Sequence, residues 1–129
     1  MSGRVVHFEI PYDDQDRAAA FYRDAFGWQV QAMPEMSYSL VTTGPNGERG
    51  PAEPGFINGG MLSRDDSPSP GPIVVIDVDS IDAALARIGD LGGDTLVPRQ
   101  PVGDMGFSAY VRDPEGNVIG LWETAAPSR

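Results

Sequence analysis

One order of secondary-structure patterns occurs twice in this chain. The first copy opens with "RVVHFEIP", whose alternation of apolar and polar residues predicts a strand, and "YDDQDRAAAFYRDAFGW" follows with the spacing of an amphipathic helix. Three further strand patterns complete it: "WQVQAM", "SYSLVTT" and "GFINGGML". After "SRDDSPSPGP", the second copy runs through the strand "IVVIDVD", the helix "SIDAALARIGDLGG" and the strands "DTLVPR", "FSAYVRD" and "NVIGLWET". The patterns predict an α+β fold with the order βαβββ in tandem.

Weak identities between the two halves indicate an internal duplication of about 60 residues per copy. With an offset of 66 the matching pairs are Asp13 and Asp79, Asp16 and Asp82, Ala18 and Ala84, Asp24 and Asp90, and Gly27 and Gly93. With an offset of 61, Gly55 matches Gly116 and Gly59 matches Gly120. One copy is too small to cover both faces of its own sheet, so we expect the two copies to pack together around a cavity.

The length of 129 residues fits one domain. We expect that domain to span residues 1–129, with module one at about 4–63, a linker at 64–72 and module two at about 73–124. Asp13, Asp14 or Asp16 is expected to cap the first helix, and Gly27 is expected to end it. Ser80 is expected to cap the second helix.

The charge balance excludes several classes of partner. Asp and Glu total 19 against 9 basic residues, for a net charge of −10, so neither nucleic acid nor an anionic membrane surface is an expected partner. No apolar run approaches the ~20 residues of a membrane span, and the N-terminus has no signal-peptide pattern. Without cysteine, the chain has no disulfide, thiol nucleophile or thiolate metal site. We therefore expect a cytoplasmic protein.

The chain has a single histidine, His7, in the first strand. Alternation places it with Val5 and Glu9, on the face opposite Val6, Phe8 and Ile10. A lone histidine on a strand is most often a hydrogen-bonded interior residue. Its near-neutral pKa also makes it a candidate proton carrier. In the last strand, Ile119, Leu121 and Glu123 share one face, and Trp122 has the parity expected of a residue packed beneath a helix.

The chain resembles the vicinal oxygen chelate superfamily from about residue 4 to residue 124. The resemblance rests on "HFEI" in the first strand, "RAAAFYRDAFGW" in the helix, "DPEGNVIGLWE" near the end and the repeat itself. That superfamily includes glyoxalase I, bleomycin-resistance proteins, extradiol dioxygenases and methylmalonyl-CoA epimerases. "FINGGM" and "GLWE" are most similar to its short glyoxalase-like members. The implied fold is a cupped eight-stranded mixed sheet around a cavity, and a homodimer is implied as well.

The resemblance also implies metal ligands on the first and last strands of each module. His7 and Glu123 match two of those positions, whereas the other two fall on Ile73 and on or near Leu62, which bind no metal. A ring-cleaving dioxygenase needs two histidines and is not expected. One divalent ion (Zn, Ni, Mn or Fe) on this half-site is one alternative, and the metal-free form is the favoured one.

Two functional hypotheses follow. The first is a small-molecule-binding lyase or isomerase that moves a proton next to a carbonyl group, with His7 and Glu123 as catalytic residues. The second is a non-catalytic, drug-sequestering protein. In either case the ligand is a small organic molecule, and these residues are expected to bind it: Glu9, Tyr38, Phe56, Gly60, Asp77, Phe107, Tyr110 and Leu121.

Overall fold

The computed structural model describes residues 3–48 and 50–126. Within them the chain divides into two compact units, one formed by residues 7–72 and the other by residues 73–126 together with 3–6. The N-terminal residues join the second unit through backbone hydrogen bonds on both sides of Asp77. The N–H of Gly3 donates to the Asp77 carbonyl, and the N–H of Asp77 donates to the carbonyl of Arg4.

The first unit holds one helix and a four-stranded mixed sheet. Its elements are β1 (Val5–Tyr12, in this unit from His7), α1 (Gln15–Phe26), β2 (Gln29–Met33), β3 (Tyr38–Thr42), the two-residue strands β4 (Asn46–Gly47) and β5 (Gly50–Pro51), and β6 (Asn58–Ser63). The sheet has the order β2-β3-β6-β1, while β4 and β5 pair with each other. β6 runs parallel to β1 and antiparallel to β3.

Local sequence signals determine where α1 begins and ends. The Asp14 side chain accepts a hydrogen bond from the N–H of Arg17 at 2.9 Å, which makes Asp14 the N-cap. Gly27 ends the helix in the left-handed conformation with φ of 76°, and its N–H donates to the carbonyl of Arg23. Both helix ends agree with the sequence prediction.

The two faces of β1 have different neighbours. Phe8 faces the helix side, where its ring packs on Trp28 at 5.6 Å, and Trp28 stacks on Tyr22 of α1 at 4.9 Å. His7 and Glu9 lie on the other face, as the alternation predicts. Val41, Met61 and Ser39 are fully buried in this unit.

The second unit repeats this plan. Its elements are β7 (Ile73–Asp77), α2 (Ile81–Asp90), β8 (Asp94–Val102), β9 (Gly106–Arg112) and β10 (Val118–Thr124), with the sheet order β7-β10-β9-β8. β10 runs parallel to β7 and antiparallel to β9. Beneath α2 a buried cluster is formed by Ile81, Ala109, Val111 and Leu121. Among the described residues, no helix is both long and apolar enough to cross a membrane.

The main sheet of each unit is built in the order strand, helix, three strands, with the short β4–β5 pair inserted in the first unit, so the predicted fold class of tandem βαβββ modules is confirmed. The helix N-caps, Asp14 and Ser80, are separated by the predicted offset of 66. The predicted alignment of the last strands of the two modules needs a correction of one residue. Glu9 pairs with Gly60 and Val75 pairs with Gly120, so the register matches Gly60 rather than Gly59 to Gly120. The predicted offset of 61 is therefore one residue too long in this strand.

The "DPEGN" segment closes the hairpin between β9 and β10. The Asp113 carboxylate accepts the backbone N–H groups of Glu115 at 2.9 Å and Asn117 at 2.8 Å. These bonds, chiefly those from Asn117, lower the pKa of the Asp113 carboxyl. Gly116 completes the turn with φ of 86°, a conformation that costs other residues energy because of their Cβ.

Gly116→Ala is expected to destabilise the protein by about 1 kcal/mol, because the Cβ enters open space but the backbone is left-handed. The matched control is Gly89→Ala. Gly89 lies within α2, where a Cβ also meets nothing, so this change is expected to stabilise by about 0.5–1 kcal/mol. Urea unfolding of both variants and the wild type checks the prediction. Changes of the same sign would contradict it.

Candidate functional site

Three polar side chains form a continuous hydrogen-bonded chain on the face of the first unit's sheet that lies opposite Phe8. The His7 Nε2 atom lies 2.8 Å from the Tyr38 hydroxyl oxygen, and that hydroxyl donates to Glu9 Oε2, also at 2.8 Å. β1 supplies the imidazole and the carboxylate from positions two apart, while β3 supplies the phenol. We call His7, Tyr38 and Glu9 the polar triad.

Gly60 makes the triad sterically possible. Gly60 lies on β6, where it is the direct partner of Glu9 on β1 and of Leu40 on β3. A Cβ on Gly60 would lie 1.8 Å from the Tyr38 hydroxyl oxygen, far inside van der Waals contact. The ring of Tyr38 therefore crosses β6 at Gly60, where no side chain stands on this face, and this brings the hydroxyl between the imidazole and the carboxylate.

Burial determines the electrostatics of the triad. Glu9 is 6% exposed and His7 is half-buried. Desolvation lowers the pKa of His7, and the charge of Glu9 opposes this shift with a smaller effect in the other direction. The imidazole is therefore mainly neutral at pH 7, the form that accepts a proton.

Glu123 has a different environment, in the second unit. Its Oε1 accepts the N–H of Ile81, the first residue of α2, at 2.8 Å, and its Oε2 accepts from Arg99 at 3.1 Å. The guanidinium carbon of Arg99 lies 3.5 Å from the centre of the Phe107 ring. The hydrogen bond from Ile81, followed by Arg99, lowers the pKa of the Glu123 carboxyl.

These contacts make Glu123 a partner for the N-terminus of α2, where backbone N–H groups lack partners within the helix. His7 and Glu123 belong to different units. Their joint role, as catalytic pair or as metal ligands, stays a prediction.

The structure assigns the two faces of β10 differently from the sequence analysis. Leu121 belongs to the buried cluster beneath α2, and Phe107 packs against that cluster, so both have a packing role. Trp122, expected beneath the helix, lies on the opposite face, where its cross-strand partners are Asp77 and Ser108. The prediction for Trp122 is wrong because a strand pattern alone does not say which face of the sheet the helix covers.

The remaining predicted ligand-binding residues lie in three places. Asp77 and Tyr110 lie on the same face of the second unit's sheet as Gly120, the partner of Tyr110, and on the opposite face from Leu121. Phe56 lies in the loop between β5 and β6 rather than on a strand, and its ring packs over Gly44. Ligand binding by these residues stays a prediction. Tyr38 and Glu9 are among the ligand-binding residues predicted from the sequence, but their connection to His7 could not be predicted, because it depends on the β3–β6 register.

The described residues do not match the needs of a divalent metal ion. Zinc-type centres use three or more protein ligands. Nowhere in residues 3–48 and 50–126 do three His, Asp or Glu side chains come together in a group that could hold an ion. At the predicted half-site, the His7 Nε2 atom is bonded to Tyr38, and both oxygens of Glu123 are bonded within its own unit.

Known proteins are similar to this chain in sequence and in fold. The family model described as "Bleomycin resistance protein-like N-terminal" matches residues 4–44. A glyoxylase-like domain-containing protein of Didymella fabae is 33% identical over 104 residues, which cover 74% of this chain and 73% of that protein. The chain belongs to the glyoxalase-like family. The resemblance to the vicinal oxygen chelate superfamily is thereby confirmed.

A longer glyoxalase-like relative is a putative glyoxylase, CFP32, from Mycobacterium bovis and Mycobacterium tuberculosis. It is 31% identical over 125 residues, which cover 89% of this chain but 43% of that protein. The chain therefore spans less than half the length of this relative.

Solved structures share the glyoxalase-like fold over nearly the whole chain. A hypothetical protein from Bacillus halodurans has a TM-score of 0.67 at 14% identity, covering 100% of this chain and 99% of that one. A methylmalonyl-CoA epimerase in complex with methylmalonyl-CoA and NH4+ has a TM-score of 0.65 at 21% identity, covering 98% and 97%. At these identities the likeness establishes the fold alone.

Glu123→Gln is expected to lower the melting temperature at pH 7, because the amide loses the ionic bond with Arg99. The native state lowers the pKa of Glu123, so its contribution to stability is present above the unfolded pKa and is lost as the pH falls through the folded one. The difference between variant and wild type should therefore shrink at acidic pH.

Asp94→Asn is the matched control, since it removes an ion pair with Arg112 between two exposed side chains. It should change the melting temperature little at either pH. Equal effects of the two substitutions at pH 7 would contradict a helix-capping role for Glu123.

Proposed function

We propose that this glyoxalase-like chain binds a small organic molecule over the polar triad and acts on it as a lyase or isomerase. In this proposal the reaction moves a proton at the carbon next to a carbonyl group, and His7 is the base. Glu123, the second catalytic residue predicted from the sequence, is left out because both its carboxylate oxygens are already bonded in its own unit.

The observation that carries the proposal is an imidazole connected through one hydroxyl to a buried carboxylate. When the imidazole takes a proton from a carbon acid, it becomes positively charged. Glu9, linked through Tyr38, stabilises that charge at a site of low dielectric. The C–H bond pair moves into the carbonyl group as the enolate forms, and the imidazolium then returns the proton to the product.

The comparisons support this chemistry. The matched family segment, residues 4–44, contains all three members of the triad. The curated relatives are called glyoxylases, and a structural neighbour is called an epimerase and holds methylmalonyl-CoA. An epimerase inverts a carbon centre, and in methylmalonyl-CoA that carbon lies next to carbonyl groups.

Proton exchange in D2O tests the proposal. Loss of the C–H signal next to the carbonyl is followed by NMR for methylmalonyl-CoA and for a panel of small 2-oxo compounds. His7→Gln is expected to slow the exchange by about 10²-fold or more, the usual contribution of a general base. Asp94→Asn, far along the chain in β8, is the control and should exchange at the wild-type rate.

Full exchange by His7→Gln would exclude His7 as the base. As the pH is lowered, the exchange rate should begin to decrease only below pH ~6.5, the ordinary pKa of histidine. Burial lowers the pKa of His7, so the imidazole stays neutral to lower pH. An exchange rate that already decreases well above that pH would contradict the assignment of His7 as the base.

A second candidate is a protein that sequesters a drug without converting it. Two positions that carry metal ligands in the resembled superfamily are apolar here, Leu62 and Ile73, and both are buried. The net charge of −10 favours a cationic ligand. Calorimetric titration with bleomycin tests this function. Stoichiometric binding that survives His7→Gln, without proton exchange in any tested compound, would favour sequestration.

A homodimer and a cytoplasmic location remain predictions of the sequence. Sedimentation velocity of the purified chain checks the first of them.

A further inference from the structure

We infer that Tyr38 is a positioning residue that holds the proton of His7 on Nε2, so that Nδ1 is the nitrogen that meets the ligand. The assignment of the protonated nitrogen is a property of the protein alone. The statement about the ligand rests on the proposed function.

Each proton of the triad has one place to go. An ionised carboxylate only accepts hydrogen bonds, so the single hydroxyl proton of Tyr38 points to Glu9 Oε2. The Tyr38 oxygen must then accept at its contact with His7 Nε2, since its own proton is already used. A neutral imidazole carries one N–H, and this contact places it on Nε2. The lone pair is left on Nδ1.

Nδ1 is available to a ligand. The hydrogen bond to Tyr38 engages Nε2, and no described residue bonds the other ring nitrogen. No buried side-chain nitrogen or oxygen of the described residues lacks a partner, so Nδ1 is an exposed atom of a half-buried ring. An exposed lone pair accepts a proton or a hydrogen bond.

The ligand class follows from this polarity. A molecule bound at Nδ1 presents an acidic C–H, an O–H or an N–H group to it. An anionic group without a proton at the same point would face a lone pair, with the carboxylate of Glu9 behind it. The site therefore favours a neutral carbon acid, enol or phenol at this contact.

The single histidine makes the assignment directly measurable. The full chain is labelled with 15N-histidine, and long-range 1H–15N correlation spectra are recorded near pH 8, where the imidazole is neutral. The two nitrogen shifts show which atom carries the proton. In the wild type, His7 is expected to be present as a single tautomer with its proton on Nε2.

Tyr38→Phe keeps the ring across Gly60 and removes only the hydroxyl, so the fold should persist and the spectrum should become that of a tautomer mixture. Tyr12→Phe, the same chemical change at the end of β1, is the control and should leave the tautomer unchanged. Gly60→Ala, whose Cβ would displace the Tyr38 hydroxyl, is a second route to the same loss without removing a polar group. Melting curves verify that each variant is folded.

An Nδ1–H tautomer in the wild type, or an unchanged single tautomer in folded Tyr38→Phe, would overturn the inference. In the exchange assay, Tyr38→Phe should lower kcat about tenfold with little change in KM. The reason is that the His7 proton is no longer held on one ring nitrogen, whereas the substrate still binds. If the wild type catalyses proton exchange but carries the His7 proton on Nδ1, the inference is wrong and the proposed function stands. If the proton is fixed on Nε2 but the wild type neither exchanges nor binds any tested compound, the inference stands and the proposed function is wrong.

Discussion

In the first unit, β6 runs beside β1 so that Glu9 and Gly60 are direct partners, and the Tyr38 ring crosses β6 where no side chain stands. The rest of the polar triad depends on this contact. With a larger residue at position 60 the hydroxyl could not lie between His7 and Glu9. The buried carboxylate would then lose a hydrogen bond that offsets part of its desolvation cost.

The two copies of the module have diverged in chemistry while keeping the same plan. The register places Val75 of the second copy where the first has Glu9, and the first-strand offset of 66 places Ile73 where it has His7. The glycine on the last strand is present in both copies, as Gly60 and Gly120. At the positions of His7 and Glu9 the second copy therefore carries apolar side chains, so it does not repeat the polar triad.

Much of the fold could be predicted from the sequence because its signals are local. Alternation defined the strands, while Asp14, Ser80 and Gly27 marked the ends of the helices. The site was harder, since it depends on which strands are neighbours and in what register. Glu123 shows the difficulty. Its parity with Leu121 was read correctly, but only the packing of α2 shows that this face is covered, with the carboxylate bonded to the first N–H of the helix.

The phenol between His7 and Glu9 also explains how a histidine near a buried carboxylate can remain neutral. A carboxylate in direct contact would favour the imidazolium strongly and raise the pKa of the ring. With Tyr38 between them the charge acts from a greater distance, and desolvation becomes the larger effect, so the pKa of His7 falls. The same spacer still transmits stabilisation once a proton arrives, because each hydrogen bond in a chain polarises the next. The arrangement thus combines an imidazole that is mainly neutral at pH 7 with a counter-charge for its protonated form.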